Sequence, residues 1–231
     1  MTASIFSFIV SAPLMPEILH QFILYCLIEW CKILCNIKIN IYGNKKLLEE
    51  NTLFMANHYE GVDYFVLYSM ITTPFSECCY AIAKDDLLGR QYPLEVLSNI
   101  IDYVVKLFYE GGYLIPYTRG DKNSGIRVKN RTKEILQNNK KLLVFPEGRS
   151  WRKGVCHEFK PGMFEVAEEC KKSIIPITLK YRNFDGKNKG EKCVLEDWMD
   201  IDVDVFIHDK VNVQSHDKML SETFEKISSK N

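Results

Sequence analysis

Two stretches of the chain carry side chains whose types and spacing suit chemistry on a hydroxyl and a phosphate. The first is Asn57-His58-Tyr59-Glu60-Gly61-Val62-Asp63, placed where an apolar strand gives way to a helix. A histidine can take a proton from a hydroxyl near neutrality when a carboxylate accepts from its other ring nitrogen and fixes the tautomer. His-x4-Asp spacing alone is common. Five steps along a continuous helix put the two side chains about 140° apart, so they converge only if His58 lies on the loop and Asp63 in the first helical turn. Gly61 between them suits such a turn. The second stretch is Phe145-Pro146-Glu147-Gly148-Arg149-Ser150, directly after an apolar run. A Gly-Arg-Ser turn at a strand end offers backbone N–H groups and a guanidinium to a phosphate. A polar turn with a surface arginine is the plainer reading of the same residues.

Regular elements must hold these residues in place. Alternation and short apolar runs read as strands over 38–42, 52–56, 113–117, 142–145, 174–179 and 201–207. Helical patterns fall between them, over 62–71, part of 94–108, 126–137 and 163–170. Strands alternating with helices at this spacing predict an α/β fold, a single layered domain with a largely parallel sheet flanked by helices. The 231 residues suffice for one full hydrophobic core, and 46% apolar with 26% charged residues excludes disorder as the dominant state. No repeat or interdomain linker interrupts the pattern.

The first 36 residues differ from the rest. Met1 to Pro16 carries no charged side chain, and residues 18–28 follow with only His20 and Gln21 as polar interruptions. Neither run reaches the ~18 consecutive apolar residues of a spanning helix. Pro13 and Pro16 separate a short helix from a second one, because proline lacks the backbone donor a helix needs. The second is apolar nearly all round, and Trp30 beside Lys32 suits a headgroup boundary. We therefore divide the chain into a membrane-associating helical segment, 1–36, and a domain, 37–231. A helix buried on the protein's own sheet and a true spanning helix are the alternatives.

Charge narrows the partners. The net charge is zero, which removes any whole-protein argument for nucleic acid. Between Arg119 and Lys160, however, twelve basic residues face four acids, a local excess of +8 suited to an anionic ligand or membrane surface. The eight cysteines show no framework spacing, so reduced thiols on the cytosolic side are expected. Cys31 and Cys35 have no second Cys/His pair to complete a zinc site, and no metal or bound cofactor is expected.

Four ordered blocks give a more specific signal: Asn57-His58-x4-Asp63, Gly112-Tyr113-Leu114-Ile115-Pro116-Tyr117-Thr118-Arg119, Phe145-Pro146-Glu147-Gly148 and Ile175-Pro176-Ile177. Together they resemble the lysophosphatidic acid and glycerol-3-phosphate acyltransferase family. The resemblance extends to Ala83-Lys84 and Phe159-Lys160-Pro161-Gly162, and covers the chain from Ile37 to about Val213. It implies an α/β domain preceded by a membrane-associating helical segment. It also implies acyl transfer from acyl-CoA or an acyl carrier protein to a hydroxyl of a glycerol-phosphate acceptor, 1-acylglycerol-3-phosphate foremost, in phospholipid biosynthesis. By this resemblance His58 is the general base and Asp63 its partner. Arg119, Glu147 and Gly148 belong to the acceptor phosphate site, Asn57 and Lys84 lie with the substrates, and Pro176 shapes the pocket. The third block lacks the threonine the family commonly carries before its arginine, which leaves the role of Arg149 open.

Other classes fit less well. No Gly-x-Ser-x-Gly nucleophile elbow and no Gly-Lys-Ser/Thr phosphate loop occurs. Cys78 or Cys79 could carry the acyl chain covalently, but no nearby cation in the sequence lowers a thiol pKa there. A non-catalytic lipid-binding protein on the same fold would have no evident need of the His58/Asp63 pair. A lysophospholipid or glycerol 3-phosphate as acceptor stays open.

Overall fold

Apolar runs too short for a helix become the strands of one sheet in the computed structural model, which describes residues 17–59, 61–73, 78–85, 95–150, 156–182 and 200–230. The elements follow as α1 (Glu17–Leu34), β1 (Lys38–Gly43), a 3-10 turn (Lys45–Glu49), β2 (Leu53–Ala56), α2 (Val62–Ile71), β3 (Tyr80–Lys84) and α3 (Glu95–Glu110). Next come β4 (Leu114–Tyr117), α4 (Lys122–Gln137), β5 (Leu142–Val144), α5 (Gly162–Glu169), β6 (Ile174–Tyr181), β7 (Asp202–Ile207) and α6 (His216–Ser228).

The seven strands lie in the order β1-β7-β6-β2-β5-β3-β4. From β6 to β4 neighbouring strands run parallel, while β7 runs antiparallel to β6 and β1 parallel to β7. Every residue of β2 and β5 is buried, as expected of central parallel strands covered on both faces. Phe54, Ala56, Leu143, Ile175 and Ile177 pack on one side with Leu24 and Ile28 of α1, Val66 of α2 and Val104 of α3. Leu53, Met55, Leu142, Val144 and Ile174 pack on the other with Leu136 of α4, Phe164 of α5 and Met219 of α6. The expected largely parallel layered sheet is thus the fold of the described residues.

The connections place the site. β2 leads through α2, on one face, to β3; β5 leads through α5, on the opposite face, to β6. Because β2 and β5 are neighbours whose chains leave to opposite sides, a crevice opens beyond their carboxyl ends, where ligands of open α/β sheets bind.

Besides the 3-10 turn, two elements escaped the sequence reading. β3 is five residues long with two alanines and one buried side chain, which gives no alternation to read. In α6 only Met219, Thr223 and Ile227 are buried, a narrow stripe in a polar segment. The expected short helix within residues 1–16 lies outside the described residues. The second expected helix is α1, and its two faces differ. His20, Gln21, Leu24, Ile28, Cys31 and Cys35 are buried, with His20 Nε2 2.9 Å from the Leu107 carbonyl of α3. Leu19, Phe22, Trp30, Ile33 and Leu34 are exposed on the outer side. Among the described residues no helix is long and apolar enough to cross a membrane.

Candidate active site

Asn57 directly follows β2, and its side-chain amide continues the sheet in place of backbone. Its Nδ2 donates to the Leu179 carbonyl at 2.9 Å, and its Oδ1 accepts from the Leu179 N–H at 2.7 Å. This fixes the chain direction just before His58. His58 then lies on the loop and Asp63 in the first turn of α2, the one arrangement in which the pair converges, with His58 Nδ1 2.8 Å from Asp63 Oδ2. An ionised carboxylate only accepts, so Nδ1 carries the proton and Nε2 keeps its lone pair. Asp63 is wholly buried. Oδ2 also accepts from the Tyr59 N–H at 2.6 Å, and Oδ1 from the Tyr181 hydroxyl at 2.5 Å. The helix N-terminus adds favourable polarity for its charge. Phe145 stacks on the imidazole, with ring centroids 4.1 Å apart and planes 18° from parallel.

Glu147, from the turn after β5, is the second buried carboxylate. Its Oε1 accepts from the His58 N–H at 2.9 Å and its Oε2 from the His157 N–H at 3.0 Å. It therefore ties three segments together: the end of β2, the turn after β5 and the approach to α5. Burial pushes its carboxyl above the ordinary range, outweighing the pull of the two N–H donors and of His58 in the opposite direction.

The next residue turns outward. Gly148 has φ +68°, a conformation that favours glycine, and lies against the Lys160 side chain. Its carbonyl accepts from Nη2 of Arg119, beyond the end of β4, at 3.1 Å. Arg149 Nη2 lies 2.8 Å from His157 Nε2, while His157 Nδ1 accepts from the Glu158 N–H at 2.9 Å. A neutral imidazole accepts at only one nitrogen, so the Arg149 contact is a compromised one. Arg119, Arg149 and Lys160 are all exposed and form a cationic rim around the Gly148 turn.

Lys84 ends β3 on the same sheet edge, with its carbonyl accepting from the Tyr109 hydroxyl at 3.0 Å. Pro176 is not brought to this cluster. It is buried within β6 opposite Met55, three residues short of the strand level of His58, or about 10 Å down the strand. There its carbonyl accepts from the His208 N–H at 3.0 Å. Asn57 and Glu147, expected in the substrate site, bond backbone groups at the carboxyl edge of the sheet. Sequence reasoning missed Tyr181, Tyr59, Phe145 and His157. For Tyr181 a signal existed, since it continues the buried series Ile175, Ile177 and Leu179 to the carboxyl end of a parallel strand. Among the described residues no group of three or more His, Cys, Asp and Glu side chains could hold a metal ion.

A partly exposed histidine bonded to a buried aspartate, beside a cationic turn at the carboxyl edge of a mostly parallel sheet, is the site of this α/β fold. The chain belongs to the Acyltransferase family, whose sequence model matches residues 38–180. It is 26% identical over 147 residues to a 1-acyl-sn-glycerol-3-phosphate acyltransferase of Borreliella burgdorferi, a match covering 63% of this chain and 52% of that one. To the 1-acyl-sn-glycerol-3-phosphate acyltransferase of Saccharomyces cerevisiae it is 26% identical over 157 residues, 67% of this chain and 46% of that one. The chain thus spans about half the length of these curated relatives. The crystal structure of the 1-acyl-sn-glycerophosphate acyltransferase PlsC from Thermotoga maritima shares the fold, with a TM-score of 0.63 at 18% identity over 95% of this chain and 83% of that one.

The buried Glu147 gives a pH-dependent test. A carboxyl raised in the folded state binds more protons folded than unfolded, from its ordinary value up to its raised one. Its contribution to stability is complete below that window and is lost as pH rises through it. Glu147→Gln does not titrate, so denaturant unfolding should show the variant gaining on the parent as pH climbs through the window. A gap that moves the other way would contradict the assignment. The Gln amide also turns its NH2 toward one of the two N–H donors, which costs about 1–3 kcal/mol in a buried site and should displace His58.

Proposed function

We propose that this protein transfers a fatty acyl group from a thioester donor, acyl-CoA or an acyl carrier protein, to a hydroxyl of a glycerol-phosphate acceptor. The favoured acceptor is 1-acylglycerol-3-phosphate, with phosphatidic acid as product, in phospholipid biosynthesis. The observation that carries this reading is the His58–Asp63 bond at 2.8 Å beside the Arg119–Gly148 turn, in a chain of the Acyltransferase family.

His58 Nε2 takes the proton of the acceptor hydroxyl as the oxygen attacks the thioester carbonyl. The tetrahedral adduct collapses by breaking the C–S bond, and the leaving sulfur recovers that proton from Nε2. Asp63 holds the ring and stabilises the imidazolium between these steps. Arg119, Arg149 and Lys160 face the acceptor phosphate, a charge-assisted contact being worth about 1.5–3 kcal/mol. Asn57 and Glu147 position the His58 loop. Direct transfer is favoured over an acyl-cysteine because Cys78 and Cys79 are both buried, and burial pushes the Cys79 thiol well up.

Acyl transfer to a panel of glycerol 3-phosphate, 1-acylglycerol-3-phosphate and larger lysophospholipids, read by product mass, tests the reading and chooses the acceptor. His58→Ala should lose about 10²–10⁴ in kcat with its melting temperature nearly unchanged. In the same assay Arg119→Ala should raise the acceptor's KM roughly tenfold to a hundredfold and the donor's much less. A folded His58→Ala that turns over at the parent's rate would defeat the mechanism, and no transfer to any acceptor would favour a non-catalytic lipid binder.

We also propose that α1 seats the protein on the cytosolic face of a membrane by its outer apolar stripe of Leu19, Phe22, Trp30, Ile33 and Leu34. Burial of these side chains is insensitive to charge screening. Flotation with phospholipid vesicles should therefore persist in high salt and weaken in a Trp30→Asp/Ile33→Asp variant. Complete release by salt alone would overturn the hydrophobic seat.

A further inference from the structure

We propose that Phe145 is a positioning residue of the acyl-transfer centre whose ring face stabilises the imidazolium form of His58, the state in which the base holds the acceptor's proton. The inference rests on the reading of His58 as that base. The two rings are stacked, with centroids 4.1 Å apart and planes 18° from parallel. The face of a benzene ring carries negative potential, and a cation within about 6 Å of its centroid is attracted to it. An imidazolium, its charge spread over the ring, gains this attraction; a neutral imidazole gains little. Stacking therefore favours one protonation state over the other, which contact by dispersion alone does not.

One turn sets this geometry. Phe145 directly follows β5, and its carbonyl accepts from the Gly148 N–H at 3.1 Å, which closes the turn. Two residues on, Glu147 Oε1 accepts from the His58 N–H at 2.9 Å. The same four residues thus hold the histidine at its amide and lay an aromatic face on its ring. Stacking covers a face of the imidazole, whereas the lone pair of Nε2 lies in the ring plane, so the contact does not compete with proton transfer. The His58 side chain is only 20% exposed, which limits screening of the attraction by water. Asp63, from α2, and Glu147, from the turn, also favour the cation, so the effect of Phe145 has to be read with both acids in place. A phenylalanine that merely fills space beside the ring is the plainer role. Only volume matters to such a filler, while charge stabilisation depends on the electrons of the ring face.

Phenylalanines carrying one, two and three ring fluorines, placed at position 145 of the full chain, test this, because fluorine drains the ring face while nearly keeping its shape. Acyl transfer is measured across pH, and the His58 ring is titrated by ¹⁵N NMR, its signals assigned by their loss in His58→Ala. A stabilised imidazolium predicts a graded fall in plateau kcat, up to about fivefold with three fluorines, at a nearly unchanged KM for the acceptor. The acid limb of the kcat/KM profile and the midpoint of the ring titration should move together to lower pH by about half a unit, because a less stabilised cation gives up its proton more readily. Phe145→Leu, which has no π face, should move the midpoint the same way. A midpoint that stays fixed across the series overturns the proposal, whether the rate is kept or lost, since a displaced ring slows the reaction without that graded movement. If His58→Ala turns over at the parent's rate, the base assignment fails by itself, while the ring titration, read without turnover, still decides whether Phe145 favours the cation.

Discussion

A carboxylate with no exposed surface is the constraint on which this site depends. Asp63 is buried beneath the end of the sheet, where an uncompensated charge would be costly enough to neutralise itself or unfold its surroundings. Its donors arrive from the His58 loop, the backbone of Tyr59 and the end of β6. Satisfying one acid therefore requires that β2, α2 and β6 be in their final places. The same bonds that make the charge tolerable orient the imidazole, so folding and fixing of the His58 ring are one event.

Glu147 repeats the device one strand away, with a different outcome. Its two oxygens accept from backbone N–H groups of His58 and His157, and burial still lifts its carboxyl above the usual range. Asp63 acts on a side chain and Glu147 on main chain. Between them they fix His58 at both its ring and its amide. The topology makes this possible, because β2 and β5 are neighbours whose chains depart to opposite faces and leave the space above their ends open.

Much of this was legible in the sequence for identifiable reasons. Central strands such as Leu142–Val144 are buried on both faces and read as unbroken apolar runs. The His58/Asp63 geometry followed from helical periodicity, since only a loop histidine and a first-turn aspartate can meet. What stayed hidden lies across the sheet. Tyr181 is 118 residues from Asp63, and its contact depends on the register of β6 against β2, which no local pattern contains. Asn57 and Glu147 sit in motifs that point to chemistry, yet their side chains bond backbone; residue type alone does not separate a ligand contact from a brace. The buried place of Pro176 opposite Met55 is likewise fixed by strand register, which no local pattern contains.

The cationic rim and His58 are held in opposite ways. His58 is bonded at Nδ1, held at its amide and stacked on Phe145. Arg119 and Arg149 instead contact neutral acceptors, the Gly148 carbonyl and a His157 nitrogen whose ring already accepts elsewhere. A phosphate is a better acceptor for a guanidinium than either, because its negative charge adds an attraction that a carbonyl or an imidazole nitrogen lacks. On the proposed reaction, acceptor binding then exchanges weak contacts for strong ones without disturbing the buried acids beneath. The exchange also accommodates the shortened third block. An arginine displaced by one position on an exposed turn can still reach an anion through its long side chain, whereas a one-residue displacement of Asp63 or Glu147 would strand a buried charge.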